Sequence, residues 1–208
     1  MKIFPWKRKG ASGTAEELPE YGADFFKSDW FRDWEVLKGV LSVMLESHPE
    51  WKRILDFGCG PGVMIDLMND RGKDYWGYDP STEARALYLD RYGKHPDKYV
   101  SIMPNSGFDV VVSFDVFEHM EDGQVSEMLA LSHRTLHLLA NINRTPGIPG
   151  HINLKSDEEW IRFINNSGFE FDRSGTERLR ALYLRLRPEA TDAWDKNLFL
   201  FGSRVRLS

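Results

Sequence analysis

Cysteine is almost absent from this chain: Cys59 stands alone among 208 residues, so no internal disulfide can form and the fold must be held by its core. The small side chain of Cys59 sits inside a glycine turn, where packing explains it better than a reactive thiol. No apolar run approaches the ~18 residues that a membrane-spanning helix needs. The basic start, residues 1–9, is interrupted by Pro5 and Trp6 and is followed by no hydrophobic leader core, which makes a cytoplasmic protein the expectation. Positive charge is not in excess either. With 27 Lys and Arg against 32 Asp and Glu the formal net charge is −5, which gives no global attraction to nucleic acid or anionic membranes. Internal repeats and low-complexity blocks are also missing.

What remains is ample for a core, at 41% hydrophobic and 13% aromatic residues. Residues 1–24, rich in Gly, Pro, Ser, Glu and Lys, read as a tail or arm, and residues 25–208 as one domain. In residues 29–47, Trp30, Trp34, Leu37, Val40, Leu41, Met44 and Leu45 recur at helical spacing until His48-Pro49 ends the helix. Beyond it, short apolar runs at 53–57, 74–78, 99–103, 108–114, 136–141 and 169–171 alternate with helical stretches at 63–71, 81–92, 124–133 and 156–166. Residues 198–205 read as a final alternating strand. Such alternation predicts an α/β fold. The segment 177–187 mixes Arg178, Arg180, Arg185 and Arg187 with leucines and reads as an amphipathic helix or strand, or as a patch for an anionic substrate. Asp109 is expected to orient the start of its strand. In an open parallel sheet the Pro- and Gly-rich loop 143–151 lies over the carboxyl ends of the strands, placing Asn143 and Arg144 near an acceptor.

The chemistry concentrates in two segments. Residues 54–63 read Ile-Leu-Asp-Phe-Gly-Cys-Gly-Pro-Gly-Val, a strand, a turn that can hug a ligand and a helix start. The dinucleotide fingerprint GxGxxG is not completed, because Val63 stands where its third glycine falls and Asp56 sits two residues before the first. Asp79-Pro80 closes the second strand, where a carboxylate can accept both hydroxyls of a ribose. The third strand stops at Pro104 and leaves little room for an acidic residue. The second segment, 108–119, reads Phe-Asp-Val-Val-Val-Ser-Phe-Asp-Val-Phe-Glu-His.

Together these motifs closely resemble the class I S-adenosylmethionine-dependent methyltransferases, over roughly residues 29–205 with the specific motifs within 54–120. The resemblance implies a Rossmann-like three-layer sandwich with a seven-stranded mixed sheet whose last strand is antiparallel. It implies S-adenosylmethionine as cofactor and S-adenosylhomocysteine as product. Its cofactor contacts would fall on Asp56, Gly58, Cys59, Gly60, Gly62, Tyr78, Asp79, Pro80, Ser101, Ile102, Phe114, Asp115 and Val116. An N-terminal helix often covers the pocket in this family, which puts Tyr21 and Trp30 beside the substrate.

Methyl transfer from a sulfonium mainly requires donor and acceptor held in line, and an oxygen acceptor also benefits from a base. His119 and His151 are the candidate catalytic residues; a structural role for His119 in ordering its loop is the bland alternative. No resident metal is assigned. Asp115-x-x-Glu118-His119 nonetheless resembles the Glu-x-x-Glu-His cation site of ubiquinone-pathway O-methyltransferases and small-RNA 2′-O-methyltransferases, with His151 as a further ligand and with Asp one methylene shorter in the first position. The expected acceptor is a small molecule methylated on O or N. An RNA or protein methyltransferase using residues 178–187, or a cofactor-binding but silent subunit, stand as alternatives. Oligomeric state is not legible.

Overall fold

A computed structural model describes residues 29–104, 107–132, 135–190 and 194–204, with only the backbone described for 29–36. The expected tail, the domain start at 25, Tyr21, His133 and residue 205 lie outside the described residues.

The chain begins with helix α1 (Asp29–Glu46), followed by β1 (Arg53–Phe57), α2 (Ile65–Asp70), β2 (Asp74–Tyr78), α3 (Thr82–Arg91) and β3 (Tyr99–Val100). Then come β4 (Val110–Phe114), α4 (Asp122–Leu131), β5 (His137–Asn141), α5 (Asp157–Asn166), β6 (Phe169–Phe171), α6 (Arg173–Leu186) and β7 (Leu198–Ser203). Local chemistry sets several boundaries. The Ser81 side chain accepts from Ala84 N at the start of α3, and Ser156 with Glu159 forms a capping box on α5. Glu121 and Gln124 form another on α4, so that helix starts two residues before the position its apolar pattern suggests.

The seven strands pair in the order β3-β2-β1-β4-β5-β7-β6, all parallel except β7, which runs antiparallel to both neighbours. β4 is buried along its whole length, as a strand covered on both faces must be. One face of the sheet packs Leu41 and Met44 of α1, Ile65 and Met68 of α2, and Leu179 and Tyr183 of α6. The other packs Val125, Met128 and Leu129 of α4 and Trp160 and Ile164 of α5. These are three layers. Strand order reverses between β1 and β4, which pair from Ile54↔Val110 to Asp56↔Val112, and this reversal opens a crevice at their carboxyl ends. Asp109 does what its position suggests: its Oδ2 accepts from Lys52 N and Arg53 N at 2.8 and 2.7 Å, tying the starts of β1 and β4.

β3 is only Tyr99–Val100 rather than 99–103, since the backbone bends at Ser101 and Ile102. Of the two readings of 177–187 the structure takes the helix: residues 177–186 belong to α6 and Arg187 caps it, with Leu179 and Tyr183, four residues apart, both turned inward against the sheet.

Gly77 in β2 is required by space alone: a Cβ there would lie 2.6 Å from Ile65 Cδ1 and 2.7 Å from Cys59 Sγ, both buried. Gly77→Ala should lower stability by about 1 to 3 kcal/mol in urea unfolding, with part of the loss recovered when Cys59→Ala is added. Unchanged stability of the single variant would contradict this packing account.

Candidate active site

The glycine turn leaves the end of β1 with Gly58 N and Cys59 N donating to Tyr78 O at 2.8 and 3.1 Å. Gly58, Gly60 and Gly62 have φ of +78°, +52° and +67°, a region closed to most side chains. Asp79, just past β2, holds this turn with one oxygen and its own chain with the other: Oδ2 accepts from Gly60 N at 3.0 Å and Oδ1 from Ser81 N at 2.8 Å. The hydroxyl of Tyr99 donates to Gly60 O at 2.9 Å from the β3 side. Asp56 lies beneath, its Oδ2 accepting from the Tyr75 hydroxyl at 2.9 Å. Burial disfavours the charged form of both carboxyls. It lifts Asp79 to about 6, against the pull of its two backbone donors, and Asp56 to about 7, against the Tyr75 hydrogen bond. The Cys59 side chain points into the core, so any ligand contact of this residue is through its main chain. Burial pushes the Cys59 thiol up, leaving it inert. Tyr78 stacks on Phe57 with ring centroids 5.3 Å apart, and Pro80 follows Asp79. Ser101 and Ile102 are exposed beyond the short β3.

Facing the turn, Phe114 ends β4 against Trp194 at 5.8 Å, and Asp115 takes φ +53°, the one non-glycine residue with positive φ among those described. Asp115 N donates to Asn141 O at the end of β5. The Asp115 carboxyl is enclosed beside Glu118 and Trp194, and burial raises it to about 7. Glu118 is fully buried and is raised further, by burial and then by the charge of Asp115. Asp115 Oδ1 and Glu118 Oε2 are both buried, and with both carboxyls raised the two side chains share a hydrogen bond. The other Glu118 oxygen accepts from Asn143 N at 2.9 Å.

His119 directs Nδ1 to Gly150 O at 3.0 Å and His151 directs Nδ1 to Thr145 O at 3.2 Å. A carbonyl only accepts, so each Nδ1 carries the proton and each Nε2 presents the lone pair. The rings meet edge to face at 4.8 Å. Burial, then the neighbouring His151, pushes His119 down to about 4, and burial lowers His151. Ligand atoms of Glu118, His119 and His151 all lie within 4.8 Å of one another, an arrangement that fits a cation after small side-chain adjustment. Asp115 is outside this group, so the four-residue constellation read from sequence narrows to three.

Of the expected acceptor residues, Asn143 lies in this neighbourhood but uses its Oδ1 to accept from Thr145 N. Arg144 does not fit the role. Its guanidinium pairs with Asp157, donates to Lys196 O and Asn197 Oδ1, and covers the Phe199 ring, which holds the loop to the start of β7. Arg180 makes an equivalent clamp through Lys196 O and Leu198 O, and Arg187 turns to Tyr183 and Glu189, so half of the supposed basic patch is structural. The Trp30 side chain is outside the described residues. Sequence reasoning missed Tyr75 and Tyr99, which brace Asp56 and the turn; only the register of β1 beside β2 and β3 exposes them.

Residues 29–136 match the family model described as a methyltransferase domain. A "Probable S-adenosylmethionine-dependent methyltransferase" of Mycolicibacterium smegmatis is 30% identical over 85% of this chain and 79% of its own length. A ubiquinone biosynthesis O-methyltransferase of Psychrobacter cryohalolentis is 27% identical over 68% of this chain, which spans about 60% of that relative's length. Among solved structures, a TehB-like S-adenosylmethionine-dependent methyltransferase from Corynebacterium glutamicum shares the fold with a TM-score of 0.57 at 16% identity, covering 84% of this chain and 96% of its own. The chain belongs to the class I S-adenosylmethionine-dependent methyltransferases, a family of methyl-transferring enzymes.

Asp56 binds more protons folded than unfolded between its unfolded value of ~4 and its folded value of about 7, so the stability it contributes falls as pH rises through that window. Asp56→Asn keeps an acceptor for Tyr75 and removes the buried charge. Thermal and urea unfolding should show it more stable than wild type by roughly 1 to 4 kcal/mol at pH 8, with the difference vanishing near pH 4. A variant less stable than wild type at pH 8 would refute the assignment.

Proposed function

We propose that this protein transfers the methyl group of S-adenosylmethionine to a hydroxyl oxygen of a small-molecule acceptor positioned by a divalent cation at Glu118, His119 and His151. The observation that carries the reading is the convergence of one carboxylate and two neutral imidazoles at the carboxyl ends of β4 and β5, with Glu118 fully buried and its Oε2 not used by the loop. A relative described above carries the name ubiquinone biosynthesis O-methyltransferase, which supports an oxygen acceptor.

S-adenosylmethionine, when bound, supplies an electrophilic methyl on a sulfonium. The residues fit such a donor. The glycine turn offers main chain without Cβ atoms, and Asp79 keeps a second lone pair on each oxygen for ribose hydroxyls. Phe114, Asp115 and Val116 line the opposite wall, and Ser101 and Ile102 the open rim toward β3. A cation, when bound, supplies positive charge that acidifies a coordinated hydroxyl. His119 and His151 are already in the ligand tautomer, each oriented by a carbonyl behind it. This revises the reading without a metal. With its pKa pushed down to about 4, His119 is a poor general base for a hydroxyl, which favours its ligand role. An RNA or protein acceptor is weakened by the structural use of Arg180 and Arg187.

Calorimetry should show S-adenosylhomocysteine binding weakened by about 1.5 to 3 kcal/mol in Asp79→Ala, the scale of hydrogen bonds to a charged group. Affinity within twofold of wild type would remove Asp79 from the site. For the acceptor half, labelled S-adenosylmethionine incubated with metabolite extracts identifies the methylated product. Turnover of that acceptor should be lost in chelator, return with Mn or Mg, and fall roughly 10- to 100-fold in His119→Ala while S-adenosylhomocysteine affinity is kept. Chelator-insensitive turnover would overturn the cation.

A further inference from the structure

We infer that Glu118 is a positioning residue that couples the cation site to the acceptor loop, one carboxylate oxygen closing the loop and the other binding the cation. The inference rests on the cation reading above and adds a consequence for the loop that carries His151.

Residues 143–153 contain Pro146, Gly147, Pro149 and Gly150, and the segment has no helix or strand of its own. Gly147 and Gly150 take φ of +80° and +86°. Its order therefore comes from contacts to other parts of the chain. Both of its ends meet at Glu118. The side-chain Oε1 accepts from Asn143 N at 2.9 Å, and the main-chain oxygen of the same residue accepts from Ile152 N and Asn153 N at 2.9 and 3.0 Å. The middle is held by the next residue, His119, through Gly150 O at 3.0 Å. Inside the loop His151 reaches back to Thr145 O, and Thr145 N to Asn143 Oδ1. The loop is closed like a compact Ω-shaped segment, with Glu118 as its clasp.

The second carboxylate oxygen, Oε2, is buried and is not used by the loop, and Glu118 offers a carboxylate oxygen to the group whose ligand atoms lie within 4.8 Å, together with His119 beside it and His151 within the loop. A cation there would bond a fixed residue, the clasp and the loop at once. Binding that favours the closed loop must stabilise it by linkage, by about tenfold in the opening equilibrium at a cation concentration ten times the dissociation constant. The acceptor pocket is then completed by the same event that supplies the charge.

Two variants separate the oxygens. Glu118→Gln keeps an oxygen for Asn143 N and replaces the cation-binding atom by an amide nitrogen; Glu118→Ala removes both. The full-length protein, without donor, is treated with MnCl2 alone; free Mn(II) is followed by electron paramagnetic resonance and the amides of 143–153 by hydrogen exchange, with those of β1 and β4 as fold controls. Without Mn, loop exchange in Glu118→Gln should match wild type, and in Glu118→Ala it should be faster by roughly fivefold or more, the scale of one hydrogen bond. Saturating Mn should slow loop exchange by about tenfold in wild type and leave both variants unchanged. Wild-type exchange in the Glu118→Ala loop, with intact core protection, would overturn the clasp. Mn that binds wild type without slowing the loop would overturn the coupling while leaving the cation reading standing. Absence of Mn binding to wild type would overturn the cation reading and the coupling with it.

Discussion

Gly58 has no side chain, and Val116 occupies the space where one would lie: a Cβ there would sit 2.5 Å from Val116 Cγ2. That approach brings the turn after β4 down onto the turn after β1, and the arrangement of the crevice follows from it. Val116 can reach Gly58 because the preceding residue, Asp115, turns the chain with φ +53° while its N–H stays bonded to Asn141 at the end of β5. A non-glycine residue in that conformation carries strain of roughly 1 to 3 kcal/mol, borne by the surrounding packing. The result is that the glycine turn with Asp79 and the segment with Glu118 and His119 meet at the point where strand order reverses, which on the reading proposed above sets donor beside acceptor.

The same region gathers four carboxyls that also hold its turns and loop. Burial raises Asp56, Asp79, Asp115 and Glu118 together, so in the protein without ligands charge on these groups is costly, least for Asp79 at about 6. A site of this kind is adapted to positive ligands. On the reading proposed above, a sulfonium donor with its ammonium group and a divalent cation would both restore charge balance. The electrostatic cost of holding the carboxyls out of water is therefore a property of the ligand-free protein.

The parts legible in the sequence were those set by local chemistry. The apolar run before Gly58, the glycine spacing and the carboxylate after β2 depend on residues within about one turn of one another, and each stands where the motif puts it. The clasp and the clamps were not legible, because their partners are remote. Arg144 looked available for an acceptor, yet its side-chain partner Asn197 lies 53 residues away, beyond two helices and a strand. Residues 177–187 were ambiguous because arginines and leucines nearly alternate; only packing of Leu179 and Tyr183 on the sheet selects the helical period. β3 ended early for a related reason, since Pro104 marked a limit that the backbone leaves two residues after Tyr99. At the acceptor side the sequence already grouped Asp115, Glu118, His119 and His151 as a candidate ligand set, and the structure brings Glu118, His119 and His151 together while leaving Asp115 out.

That difference bears on which cation the site would select. Four ligands with two carboxylates describe a hard, oxygen-rich site suited to Mg. With Asp115 turned toward Glu118 and Trp194, the remaining group is one carboxylate and two imidazoles, in which nitrogen donors form the majority. Imidazole favours first-row transition ions over Mg and Ca, and an incomplete set of protein ligands leaves positions open for an acceptor hydroxyl and water. The carbonyl behind each Nδ1 strengthens this preference by fixing the tautomer before any ion arrives. On the reading proposed above, such a set would favour a first-row transition ion that accepts both nitrogen and oxygen over Mg, with Asp115 outside the ligand group.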